Sequence, residues 1–200
     1  MTREQVLSAV RAALGRTPGM TVTQLSVFRR SAAPHFDRVA TFRTALEEVG
    51  GHFHDARHEP AEALILRVAR ESGCSRVFAG PGVTLDVASA SRDEALTRPR
   101  DVLGVAHATA GLAETGTVVI DVDGSNLPTL VTESCVVILD AATLVDRLED
   151  LPPPAPSTRA RILITGPSRT ADIEKKLVMG AHGPRALHVI VDALRHQRST

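Results

Sequence analysis

Two hundred residues suit one domain of ordinary size, long enough to bury a substantial core. At 43% hydrophobic and 23% charged, the composition is that of a globular protein, and 23 basic against 23 acidic residues exclude the one-signed footprint of a nucleic-acid binder. Trp and Tyr are absent and Phe occurs five times, so an aromatic platform for stacking bases cannot be built.

In chain order, TREQVLSAVRAALG reads as a first helix. Thr2 and Gln5 fit a capping box, Val6, Val10, Ala13 and Leu14 share a face, and Gly15 supplies the stop. A second helix is predicted from about Phe36 to Val49, with Phe36, Val39, Leu46 and Val49 on one side and Gly50-Gly51 ending it. Pro60 opens a third, where its missing N–H costs nothing, and Leu64, Ile65, Val68 and Ala69 form the inner stripe. Strands are predicted at HFHDA near 52, RVFAG near 76, VLGVAHA near 102, TVVIDV at 117, CVVILD at 135, RILIT at 161 and ALHVIV at 186.

Strands alternating with helices predict an α/β fold: a single domain with a largely parallel sheet, helices on both faces and an N-terminal helix in front. The apolar continuity of VVILD and RILIT supports strands covered on both sides. A helical extension over residues 1–30 and an α/β domain over 31–200 is the expected division. LPPPAPST, 151 to 158, is linker-like, but only about forty residues follow it, too few for a separate domain. It is read as a surface loop.

Cys74 and Cys135 stand alone, without a C-x-x-C or further partners, so they cannot by themselves hold an iron–sulfur cluster or a structural zinc. The chain start carries no apolar signal segment, and the longest apolar runs fall short of a membrane span. A cytoplasmic protein with reduced thiols is expected. His52 and His54 project to one face of a predicted strand, with Asp55 and His58 near, which raises a metal site. Zinc needs three or four convergent ligands and His58 falls beyond the strand, so a solvated strand edge and no metal are expected.

Three patterns bear on function: LAETGTVVI (112–120), ITGPSRTADIE (164–174) and HGPRALHVI (182–190). In the first, Glu114, Thr115, Gly116 and Thr117 precede an apolar strand. Glycine lets a ligand approach the backbone, hydroxyls can donate to an anion, and Glu114 could serve as base or nucleophile. The alternative is a turn whose side chains satisfy its own backbone. In the second, Gly166-Pro167 makes a turn and Ser168 or Thr170 can cap a following helix, whose N-terminus would attract an anion. Asp172 and Glu174 in its first turn would repel a phosphate, leaving Arg169 as the group to clamp a small carboxylate or pair with an acid. Neither a Walker A loop nor a dinucleotide fingerprint is present. In the third, His182 and Arg185 flank Gly183-Pro184; in a parallel sheet this turn lies opposite the usual ligand edge, which favours a structural or partner-binding role. His188, alternating with apolar residues, reads as a satisfied core histidine.

Together with VLGVAHATAG, these patterns resemble the lactate-utilisation protein C family, also called the LUD domain. The resemblance is strong over the second half of the chain and extends to the first half only by the order of elements. It implies a fold similar to the NagB/RpiA/CoA-transferase group, and a place in a three-part system oxidising L-lactate to pyruvate. There the other two components carry the iron–sulfur clusters. The resemblance thus implies an accessory subunit with no cofactor of its own, beside iron–sulfur partner proteins. The alternative is a small-molecule enzyme acting on an organic acid, sugar phosphate or acyl-CoA through Glu114. The family commonly has an arginine and a histidine in the segment after the ETGT strand. Here SNLPTLVTESCVVIL offers Asn126 and Ser134 instead, so its ligand need not be that of its relatives.

Overall fold

The computed structural model describes residues 2–13, 37–83, 85, 88–123, 128–171, 177–179 and 183–192. The chain divides into two compact units, Met1–His35 and Phe36–Thr200. In the first, helix α1 spans Arg3–Ala13. Its N-terminus is closed by the reciprocal pair that the spacing predicts: Thr2 N donates to Gln5 Oε1 at 2.8 Å and Gln5 N to Thr2 Oγ1 at 3.4 Å. Val6 and Val10 are exposed, while Leu14 and Gly15 lie outside the described residues.

The second unit runs α2 (Arg38–Glu48), β1 (His52–Asp55), α3 (Ala61–Glu71), β2 (Arg76–Ala79), α4 (Arg92–Thr97), β3 (Val102–His107), β4 (Ala110–Leu112), β5 (Thr117–Val122), α5 (Pro128–Val131), β6 (Ser134–Asp140), β7 (Leu144–Val145), β8 (Ala160–Ile164), β9 (Arg169–Ala171), β10 (Leu177–Met179) and β11 (Ala186–Asp192). Five strands form a wholly parallel sheet in the order β1-β11-β6-β3-β2. Its two faces alternate along β6 and β11, as a period of two demands. Val137, Leu139, Leu187 and Val189 face Phe42 and Leu46 of α2. Val136, Ile138 and Ile190 face Leu64, Ile65 and Val68 of α3. Helices therefore cover both faces, and the α/β architecture expected from the alternation is present.

Local signals place these helices. Asp37 caps α2 by accepting from Val39 N and Ala40 N. Pro60 sits one position earlier than a first helical residue, at the cap of α3, and the stripe Leu64, Ile65, Val68 and Ala69 is buried as its spacing requires.

Two expectations are corrected. TVVIDV and RILIT do not join the parallel sheet: β5 and β8 pair antiparallel in a second sheet, β7-β4-β5-β8. β8 lies at its edge and Leu163 is exposed, so the apolar run of RILIT is not a doubly covered strand. No helix opens after Gly166-Pro167 either. Arg169–Ala171 is strand β9, antiparallel to Leu177–Met179. Asp172 and Glu174 lie outside the described residues, and among the described residues no helix follows Ser168 and Thr170 for them to cap. The LPPPAPST stretch is an exposed loop ahead of β8, as expected.

Candidate functional site

The signature segments meet around the C-terminal end of α2. Ala113–Gly116 is the loop of the β4–β5 hairpin, with Leu112 opposite Thr117. A chain of hydroxyls ties this loop to the second signature segment: Thr115 Oγ1 to Thr117 Oγ1 and Thr117 Oγ1 to Thr165 Oγ1, each at 2.7 Å. Gly116 has φ +62 and backs onto α2 so closely that an added Cβ would stand 2.3 Å from Leu46 N. Glu114 is exposed, its carboxylate 3.5 Å from Arg147 Nε.

The GPSR turn closes the same corner. Gly166 packs on Val49, and Arg169 Nη2 donates to the Val49 carbonyl at 2.6 Å. That carbonyl is one of those a helix end leaves without an intrahelical partner, and a cation there complements the helix dipole. Ser168 N donates to Pro184 O at 2.8 Å, so the second signature turn rests on the third. Gly183–Arg185 precedes β11 at the amino edge of the parallel sheet, opposite the ligand edge, as the sequence predicts. There Glu133 holds the corner: its carbonyl accepts from Arg185 N, and its carboxylate lies 3.7 Å from Arg185 Nη1 and 3.1 Å from Arg100 Nε. Ser134 begins β6 at this same edge. His182 and Asn126 lie outside the described residues, as does the side chain of Thr170.

His188 is buried on the α3 face of β11. Its Nδ1 lies 3.0 Å from His54 Nε2, and its ring stacks on His52 with centroids 4.6 Å apart. It is thus the satisfied core histidine that alternation suggests. Burial first, then the neighbouring His52 and His54, push its pKa down to about 3. His54 is also lowered, by burial first and then by Arg67. β1 is an edge strand with His52 and His58 exposed. Among the described residues no group of three His, Cys, Asp or Glu could hold a metal ion. Both cysteines are free and buried, and burial pushes the Cys135 thiol up to about 12.

A cavity of about 270 Å³ opens elsewhere, at the carboxyl ends of β2 and β3. This is where parallel α/β sheets hold ligands, because chain crossovers leave a crevice there. Gly80 and Pro81 follow β2, His107 ends β3, and Thr109 lies between β3 and β4. Ile120, Asp121, Val122 and Asp123 come from the end of β5, Pro128 and Thr129 from α5, and Ser157 and Thr158 from the exposed loop. Gly104 lets α5 sit against β3: a Cβ there would be 2.5 Å from the Pro128 carbonyl. Asp121 forms a bidentate pair with Arg161, at 2.7 and 2.8 Å, and that hydrogen bonding holds its carboxyl below the usual range. Arg161 also donates to Pro152 O at 2.7 Å, tying the loop across the second sheet.

None of the residues singled out in ETGT, GPSRT or HGPR lines this cavity. His107 carries no motif, although it is the polar residue that ends strand VLGVAH at the ligand edge. That position is the available signal; the remaining walls come from segments remote in sequence.

Residues 101–191 match the model of the LUD domain. Lactate utilization protein C 1 of Bacillus mycoides (strain KBAB4) is 36% identical over 107 residues, 45% of this chain and 43% of that protein. Lactate utilization protein C of Macrococcus caseolyticus (strain JCSC5402) is 35% identical over 105 residues, 45% and 44% of the two chains. The same-named protein of Oceanobacillus iheyensis is 30% identical over 118 residues, 54% and 50%. The matches span about half the length of these curated relatives or less. A solved DUF162 family protein from Deinococcus radiodurans is similar with a TM-score of 0.49 at 17% identity, over 77% of this chain and 95% of that one. The resemblance carried by the ETGT, GPSR and HGPR segments is thereby shown: residues 101–191 match the LUD domain, and the chain is similar to proteins named lactate utilization protein C.

Proposed function

We propose that this chain serves a lactate-utilisation system in the cytoplasm, as an accessory subunit beside iron–sulfur proteins that oxidise L-lactate to pyruvate. The observation that carries this is the similarity, over the LUD domain, to proteins named for lactate utilization. The cysteine inventory agrees with it. Cys74 and Cys135 are both buried, and two thiolates are half of what an ordinary cluster requires. In this reading the clusters sit on partners and the α/β unit from about residue 31 onward is the part that engages them. Among the described residues no helix is long and apolar enough to cross a membrane.

The alternative is an enzyme using Glu114 as base or nucleophile, with Arg169 holding an anion. The geometry favours it less. Glu114 is exposed beside Arg147, which keeps its carboxylate solvated and ion-paired, and Arg169 already donates to the end of α2. Deleting the gene in its own host should abolish growth on L-lactate while leaving growth on pyruvate intact. Glu114→Gln should restore growth to within about twofold of the wild-type gene. Unimpaired growth of the deletion strain on L-lactate would sink the subunit role. A folded Glu114→Gln protein that fails to complement would move the assignment to the enzyme.

A further inference from the structure

We infer that β1 is a pH-operated edge of the main sheet: on acidification it leaves β11 as a local unit, while β11, β6, β3 and β2 stay paired. Three imidazoles lie across the β1–β11 pairing. His52 stands opposite His188 in the register and stacks on it, with ring centroids 4.6 Å apart. His54, two residues on and therefore on the same face, stacks at 5.3 Å, and its Nε2 lies 3.0 Å from His188 Nδ1. That contact is a hydrogen bond only while one of the two facing nitrogens carries no proton. With both rings charged, N–H faces N–H across the same gap, and two cations repel at close range.

The surroundings do little to offset that charge. On its other side His188 pairs with the apolar Val136 of β6. The charged groups near His54 are Arg67 and Glu71 of α3 and Glu59 ahead of that helix. Arg67 holds both acids, at 3.2 Å for Glu59 and 3.8 Å for Glu71, and its own charge opposes a second cation. Asp55 lies on the opposite face of β1, paired with Arg57. Burial, then His52 and His54, hold the His188 pKa at about 3, against an ordinary value of about 6.5. The paired strand is thus fully favoured above the ordinary value and loses ground as pH falls toward 3.

Relief is easiest at β1. It has four residues and no buried side chain, and among the described residues it pairs with β11 alone. β6 and β11 have seven residues each, five of them buried, and β6 pairs on both sides. Release of β1 breaks the Ala56 N to Val191 O hydrogen bond and hydrates His54 and His188. It leaves β11 with a row of unpaired backbone donors and acceptors, the kind of edge that accepts another strand. A histidine that is neutral when β1 is closed and ordinary when it is open raises the opening constant about 25-fold between pH 7 and pH 5.

Hydrogen exchange of the full chain, read by mass spectrometry at pH 7, 6 and 5 and corrected for intrinsic rates, tests this. Residues 52–56 should lose about 25-fold or more of their protection between pH 7 and pH 5. At pH 5 they should exchange at least about tenfold faster than β3 and β6. In about 1 M urea their rate should change less than about twofold while that of β6 rises at least about tenfold, because only global unfolding exposes much surface. His188→Leu should abolish most of the pH dependence at residues 52–56, and His54→Leu, a milder change near the strand edge, should remove part of it. Exchange of residues 52–56 no faster than that of β6, or equally urea-dependent, would mean that β1 opens only with the whole domain and overturns the inference. So would a pH dependence left intact in either folded variant.

Discussion

Gly116→Ala should destabilise the protein by about 3 kcal/mol, combining roughly 1–2 for a side chain in the left-handed region with a similar cost for overpacking. The residue sits at φ +62, and its missing Cβ would meet Leu46 N at 2.3 Å, Leu46 Cα at 2.6 Å and Ala45 C at 2.7 Å. These are helix backbone atoms, so relief requires α2 to shift as a body. Leu46 is fully buried in the cluster with Leu187 and Val189, so the shift would open the central core. In a domain of this size the melting temperature should fall by roughly 10 °C. Gly73 is the control: it has φ +70 with nothing within 4 Å of a built Cβ, so Gly73→Ala should cost only the backbone term. Thermal melts followed by circular dichroism compare the two. Equal losses would mean that ETGT is not packed against α2 as described.

The second large effect is on acid stability. His188 is held neutral by burial, flanked by His52 and His54 on β1, with Arg67 and Glu71 of α3 and Glu59 ahead of that helix the charged neighbours of His54. Its folded pKa of about 3 lies below the unfolded value of about 6.5. Above that unfolded value both states are neutral, and stability is independent of this group. As pH falls from there toward 3, the unfolded chain takes up a proton that the fold refuses. Stability is then lost at about 1.4 kcal/mol per pH unit. Between pH 7 and 5 the loss should reach roughly 2 kcal/mol, in a window where carboxylates near their ordinary pKa values contribute little. His54, also lowered, adds in the same direction. Urea unfolding at pH 7, 6 and 5 should show that decline, and His188→Leu should flatten most of it. Parallel declines in the two proteins would remove His188 as the cause.

What could be read from the sequence divides along physical lines. Strands β3, β6 and β11 were legible as buried apolar runs and α3 as an apolar stripe at helical period, while β1 and β2 are four-residue strands read from short mixed runs. β4 and β7 were not: three and two residues carry no period, and pairing of β4 with β5 and of β7 with β4 defines them. The Ser-x-x-Glu signal at Ser91 and Glu94 was available and marks a real capping box on α4. Gly-Pro-Ser-Arg-Thr followed by acids misled in the other direction. It carries a cap signal but no apolar stripe behind it, and pairing of Arg169–Ala171 with Leu177–Met179 decided the conformation.

The site was the least legible part. Segments whose spacing identifies the family turned out to pack on one another and on α2, where glycine is needed for contact with backbone and Arg169 for closing a helix end. Among the described residues the cavity draws on five stretches between Gly80 and Thr158, none with a motif of its own. A fold brings such residues together only after the sheet order β11-β6-β3-β2 is known.

The subunit role is tested most directly by isolating the tagged protein from its own host, under anaerobic conditions and after growth on L-lactate. Iron–sulfur proteins should co-purify with it in stoichiometric amounts, and the isolated assembly should oxidise L-lactate to pyruvate with an added electron acceptor. Recovery of the chain alone, as a monomer or homo-oligomer without lactate-oxidising activity, would contradict it.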